Sequence, residues 1–271
     1  MWFKCRVSKT CEQFLQSKKQ QGLTKRSLWE YSYVCRVVEE VCGRSRSVNE
    51  SDLWKIREIL ATTKRGERVS PVSLKRWLTH TRTLLRTHHT VEECDALKSP
   101  PAREIRKQRY TKRRHFTREE CLQLLDTDGV LRSMVLLGLN CGFGPADCQQ
   151  LTPDEIQDGW LKTVRPKTGQ PRLAPLWPET VDALTFPMWD RFRVNKAVRL
   201  IVPGVGFYGL RRTFCTIASA SDAPEWAIAA IMGHVGTDIR SLHYREQTYS
   251  RSLRLATDFV RGWLDGSVIL D

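Results

Sequence analysis

Between positions 9 and 95 apolar residues return every three or four places, the spacing of one helix face. Phe14 and Leu15 mark a first helix that stops at Gly22. Leu28, Tyr31, Val34, Val38 and Val41 mark a second, ended by Gly43. Leu53, Ile56 and Leu60 follow a capping Ser or Asn in "SVNESDL". Ser70-Pro71, a favoured cap and first turn, opens a fourth run with Leu74, Leu78 and Leu85. Four short amphipathic helices predict a small bundle.

The pattern changes in "GWLKTVRPKTGQPRLAPLW", which alternates like a strand on both sides of a Lys-Thr-Gly-Gln turn and predicts a β-hairpin. Helical patterns surround it. "TREECLQLLD" has Thr117 and Glu120 at capping-box spacing, and "SMVLLGLNCGFG" runs into glycines. "PETVDALT", "MWDRFRVNKAVRLI", "LRRTFCTIASAS", "PEWAIAAIMGH" and "SLRLATDFVRGWLD" follow the hairpin. The expected fold class is mainly α with a small β-sheet (α+β).

Between the two patterned regions lies "KSPPAREIRKQRYTKRRHFTR", which begins with prolines and holds nine basic residues against one acidic. It reads as an interdomain linker, either an extended solvated tether or a segment lying along a polyanion. The expected organisation is a helical domain over 1–97, a basic linker over 98–116 and a second domain over 117–271.

Charge narrows the function. Lys and Arg total 44 against 30 Asp and Glu, a net charge of +14, which suits a polyanionic partner such as nucleic acid. The nine cysteines form no CxxC pair and mostly fall inside apolar helical patterns, so buried thiols in a reducing compartment are expected rather than disulfides or zinc. No run reaches the ~18 apolar residues of a membrane span, and the start lacks a signal-peptide core. The expectation is an intracellular protein with no membrane partner.

Within the second region, "FYGLRRTFCT" places Arg211 at the start of an apolar helix. A buried guanidinium costs several kcal/mol unless paired, so Arg211 either ties the fold together or awaits an anion. Lys167 lies on the hairpin, His234 ends the "IMGH" helix, and Tyr244 follows in "SLHYRE". Such a set suits a phosphodiester handled without metal or cofactor. Tyrosine titrates near ~10 and needs positive neighbours to act as a nucleophile. Arginine grips two phosphate oxygens, and lysine can protonate a leaving oxygen. Arg165, two residues before Lys167, would point to the same hairpin face in a regular strand, a regularity that Pro166 interrupts.

In these motifs the chain resembles the tyrosine recombinases, the phage-integrase family, across nearly its whole length. "YGLRR" matches the family's His-x-x-Arg-His and assigns Arg211; "GH" assigns His234; Tyr244 follows as the nucleophile, one residue beyond the family's usual spacing, which a loop absorbs; "PKTGQPRLAPL", with its lysine five residues before the strand arginine Arg172, assigns Lys167. The resemblance implies a helical core-binding domain followed by a catalytic domain, the two clamping duplex DNA. It implies a site-specific recombinase or integrase of a mobile element, working through a 3′-phosphotyrosine on Tyr244 with no cofactor. Double-stranded DNA, self-association into a tetramer and a cytoplasmic, nucleoid-associated location come with it.

The chain departs from the family at three places. "GLNCGFGPADCQQL" stands where "GLRxxE" is expected; with Asp147 at the acidic position, Gly144 replaces the first catalytic arginine. Tyr208 replaces the first histidine of His-x-x-Arg-His, and Arg212 the last. Tyr208, Arg165 and Arg212 are therefore candidate phosphate contacts. The missing arginine raises the alternative of the same fold serving only to bind DNA.

Overall fold

In a computed structural model of the protein, residues 7–42, 48–63, 65–86, 95–111, 114–165, 169–234 and 246–270 are described. The chain divides into two compact units, 1–112 and 113–271.

In the first unit α1 (Val7–Gln20), α2 (Lys25–Cys42), α3 (Glu50–Ala61) and α4 (Pro71–Leu85) form the bundle that the periodicity predicts. Asn49 and Asp52 close a reciprocal capping box on α3, and Ser70 accepts from the Ser73 N–H ahead of Pro71. Val34, Val38, Ile56, Leu60, Leu78 and Leu84 are buried together. The buried face of α2 also includes Glu30, paired with Arg76 at 2.8 Å and facing His80 Nε2 at 3.5 Å.

The segment read as an interdomain linker is partly a helix. α5 (Ala102–Thr111) starts directly after Pro100-Pro101, where the missing proline N–H costs a helix nothing. It packs on α4, buries Ile105, and accepts the Val72 N–H on Gln108 at 3.3 Å. Its arginines Arg103 and Arg106 remain exposed.

The second unit opens with α6 (Arg118–Leu125), capped by the expected Thr117–Glu120 box, and α7 (Gly129–Cys141), which is buried along nearly its whole length. The "GFGPAD" turn continues into a short helix, α8 (Pro145–Gln150), that the sequence reading does not anticipate. Three antiparallel strands follow in the order β1 (Ile156–Gln157), β2 (Trp160–Arg165) and β3 (Gln170–Pro175). The β2–β3 hairpin runs from Trp160 opposite Pro175 to Arg165 opposite Gln170. Then come α9 (Pro178–Asp182), α10 (Arg191–Ile201), α11 (Tyr208–Ala218), α12 (Glu225–Met232) and α13 (Glu246–Asp265).

Asn140 locks the hairpin to the end of α7, donating to Pro175 O at 3.0 Å and accepting from Trp177 N–H at 2.8 Å. α13 returns into its own unit, burying Leu253, Val260, Trp263 and Leu264, while Trp177 Nε1 donates to Thr257 O. No helix among the described residues is long and apolar enough to cross a membrane.

Candidate active site

Helices α7 and α12 both end in left-handed glycines, Gly142 and Gly233, each with φ of 62°. Their last carbonyls carry the partial negative charge of a helix C-terminus and attract cations. Two buried arginines answer them. Arg211 Nη1 donates to Gly142 O at 2.6 Å and Nη2 to Met232 O at 2.7 Å. Arg172, from β3, donates through Nε to Ile231 O and through Nη2 to Cys141 O, both at 3.0 Å. One helix and one strand thus staple the same two helix ends.

The arginines differ in what remains to them. Arg172 commits all three nitrogens, since Nη1 also meets Asp147 Oδ1 at 3.1 Å, and its guanidinium lies 4.0 Å from the Phe143 ring centroid. It is a structural arginine. The sequence singles it out only as the strand arginine of the hairpin motif. Arg211, 2% exposed, uses two of its five N–H groups in the bonds to Gly142 and Met232.

A third guanidinium stands beside them. Arg165 Nη1 donates to Gly233 O at 3.3 Å, and its Nε lies 3.8 Å from Asp147 Oδ1. Among the described residues, then, three guanidiniums share one carboxylate. The electrostatics register the imbalance. Burial pushes the Arg172 pKa down to about 10, with Arg211 and Arg165 adding to the shift and Asp147 opposing it. Burial first, and Arg165 next, lower Arg211. His234 follows Gly233 directly; burial, then Arg211, Arg165 and Arg172, hold its imidazole below the usual histidine range. Such a cation-rich cluster disfavours a further proton and favours an anion beside it.

Gly144 is buried, and its N–H donates to Asp147 Oδ2 at 2.8 Å. The Tyr208 ring borders the place where a side chain at 144 would begin: a Cβ there would meet Tyr208 Cδ2 at 3.3 Å. Tyr208 itself is 47% exposed. Arg212 donates to Arg114 O at 2.9 Å, and its guanidinium lies 5.7 Å from the Tyr208 ring centroid. Of the residues assigned from sequence, the structure brings Arg211, His234 and Arg165 together, with Tyr208 against Gly144. Lys167 and Tyr244 lie outside the described residues. Tyr249, five residues after Tyr244 in sequence, is a core residue. It stacks on Trp226 at 5.1 Å, and burial raises its pKa to about 12.

No family model matches the chain, and no curated protein does. Solved structures do. A lambda integrase (75–356) dimer bound to a COC′ core site superposes with a TM-score of 0.67 at 13% identity, over 85% of this chain and 96% of that one. The fold is that of the tyrosine recombinases. A lambda integrase tetramer bound to a Holliday junction gives 0.66 at 14% identity, over 88% of this chain and 76% of that one. The Tn1549 transposon integrase (82–397) in complex with circular intermediate DNA gives 0.61 at 14%, over 89% and 95%. At such identities the likeness is one of fold.

Proposed function

We propose that the protein is a site-specific DNA strand transferase of the tyrosine-recombinase type, an integrase or recombinase of a mobile element. The observation that carries this reading is the cation-rich pocket where α7, α11, α12 and the hairpin meet, with one carboxylate among three guanidiniums and His234 beside them. A phosphodiester supplies the missing negative charge.

In this reading Tyr244 attacks a scissile phosphorus in duplex DNA. The bond to the 5′-oxygen breaks, Lys167 protonates that oxygen, and the strand remains joined to the protein through a 3′-phosphotyrosine. Arg211 and His234 stabilise the charge that develops on the phosphoryl oxygens. Attack by the 5′-hydroxyl of a partner strand reseals the backbone and frees Tyr244, so bond energy is conserved without nucleotide or metal. The helical unit serves as the core-binding domain, its net positive surface holding the duplex, and assembly into a tetramer brings two duplexes together. The solved relatives caught as a dimer on a core site and a tetramer on a Holliday junction support both ideas.

The test is a denaturant-resistant protein–DNA adduct. Duplexes tiled across the DNA flanking the protein's gene, each nicked to trap the cleaved strand, are incubated with the parent and with Tyr244→Phe. The reading expects an adduct with the parent alone. Gly144 at the place of the first arginine favours a second reading, in which the fold only holds DNA. Salt-sensitive binding across the tiled fragments with no adduct on any of them would establish that one instead.

A further inference from the structure

We infer that Arg165 supplies, from the end of β2, the guanidinium that Gly144 denies the site, and that it contacts a non-bridging oxygen of the scissile phosphate. The inference deepens the strand-transfer reading and rests on it.

Position 144 is tight for a side chain. A Cβ there would meet Asp147 Oδ2 at 3.2 Å and Tyr208 Cδ2 and Cε2 at 3.3 and 3.4 Å. A side chain would press on the Tyr208 ring and on the Asp147 carboxylate that caps α8. Arg172 cannot replace it either, because each of its nitrogens is spent on the fold and its side chain is 1% exposed.

Arg165 has neither restriction. Its side chain is 12% exposed, the most open of the three guanidiniums. It is anchored through one nitrogen, Nη1 to Gly233 O. Its Nε is buried and finds no hydrogen-bond partner among the described residues. The 3.8 Å to Asp147 Oδ1 is too long for a hydrogen bond, and that oxygen already holds Arg172 at 3.1 Å. A buried donor left open beside two like charges costs stability unless something fills it. A phosphate oxygen does so, with charge and hydrogen bond together.

The neighbours make way for this side chain. A Cβ on Gly233 would stand 3.0 Å from Arg165 Cδ, so the glycine before His234 leaves the corridor through which the arginine reaches the pocket. β2 pairs with β3 up to Arg165 opposite Gln170, which fixes the root of the side chain on regular structure rather than on the hairpin tip.

The experiment measures adduct formation on whichever tiled duplex the parent cleaves, in two forms. One carries an ordinary scissile phosphate. The other carries a methylphosphonate there, in which a neutral methyl replaces a charged non-bridging oxygen. Removing a stabiliser of phosphoryl charge costs hundreds- to thousands-fold in rate. Arg165→Ala is expected to lose at least 100-fold on the phosphate and to come within tenfold of the parent on the methylphosphonate. Arg165→Lys is expected to fall between the two on the phosphate. A loss that the methylphosphonate does not restore in either variant assigns Arg165 to the hairpin's structure and overturns the inference. So does an Arg165→Ala variant within threefold of the parent on phosphate. Both of those outcomes leave strand transfer standing, whereas a parent that forms no adduct on any duplex overturns the two together.

Discussion

Arg172 Nη1 meets Asp147 Oδ1 at 3.1 Å with only 1% of the arginine side chain exposed, so this ion pair is made inside the protein. It joins β3 to α8, while the same guanidinium holds the ends of α7 and α12. The pocket's architecture therefore depends on a charge that never meets solvent. Desolvating such a pair offsets much of its attraction, but removing one partner leaves the other buried and alone.

Asp147→Asn is accordingly expected to destabilise the protein by about 3–5 kcal/mol, the cost of breaking a buried pair. Urea unfolding of the parent and the variant measures it. Arg172→Met and the double variant complete a cycle. The double variant is expected to lose less than the sum of the singles, because neither charge is then stranded.

His234 makes a prediction about pH. Its folded pKa is depressed, by burial first and then by Arg211, Arg165 and Arg172, whereas the unfolded chain titrates near ~6.5. Between the two values the unfolded state binds the extra proton, so stability rises with pH across that window. Acidification through ~6.5 and down to the folded value removes stability, and below both values the penalty is complete. His234→Gln is expected to flatten that part of the profile in thermal melts from pH 5 to 8. His80, also depressed, keeps its own share in both proteins. An NMR titration of the imidazole is expected to show the His234 pKa moving upward once DNA occupies the pocket, because a phosphate offsets the arginines.

Part of this cluster was legible before the structure. The α2, α3 and α4 helices follow from their apolar spacing, the hairpin from its alternation, and Arg165 from its place two residues before Lys167. What was not legible is which guanidinium is consumed by the fold. That depends on where the carbonyls of α7 and α12 end, and so on two left-handed glycines 91 positions apart. α5 was hidden for a different reason. Ile105 alone gives no periodicity, and the charges around it imitate a tether.

Gly233→Ala separates backbone strain from crowding at the pocket. Its φ of 62° costs a side chain about 1–2 kcal/mol, and a Cβ would meet Arg172 Cγ at 2.8 Å and Cδ at 2.9 Å. Gly22, with φ of 67° and nothing within 4 Å, pays strain alone. Thermal melts of the two alanine variants are expected to show the larger loss at 233. DNA binding is expected to weaken there too, and to remain at the parent's level in Gly22→Ala.

The exposed arginines of α5 offer the last test. A helix holds its side chains at fixed spacing, so Arg103 and Arg106 form a stationary basic edge rather than a drifting charge cloud. Each phosphate contact on duplex DNA contributes about −0.9 to the slope of log K against log salt concentration. If that edge lies on the backbone, changing both residues to Gln lowers the slope's magnitude by about 2. Affinity then falls most at low salt, and the circular dichroism of the protein is unchanged. A slope equal to the parent's would place this helix away from the DNA and leave the pocket's arginines and the remaining basic surface to account for binding.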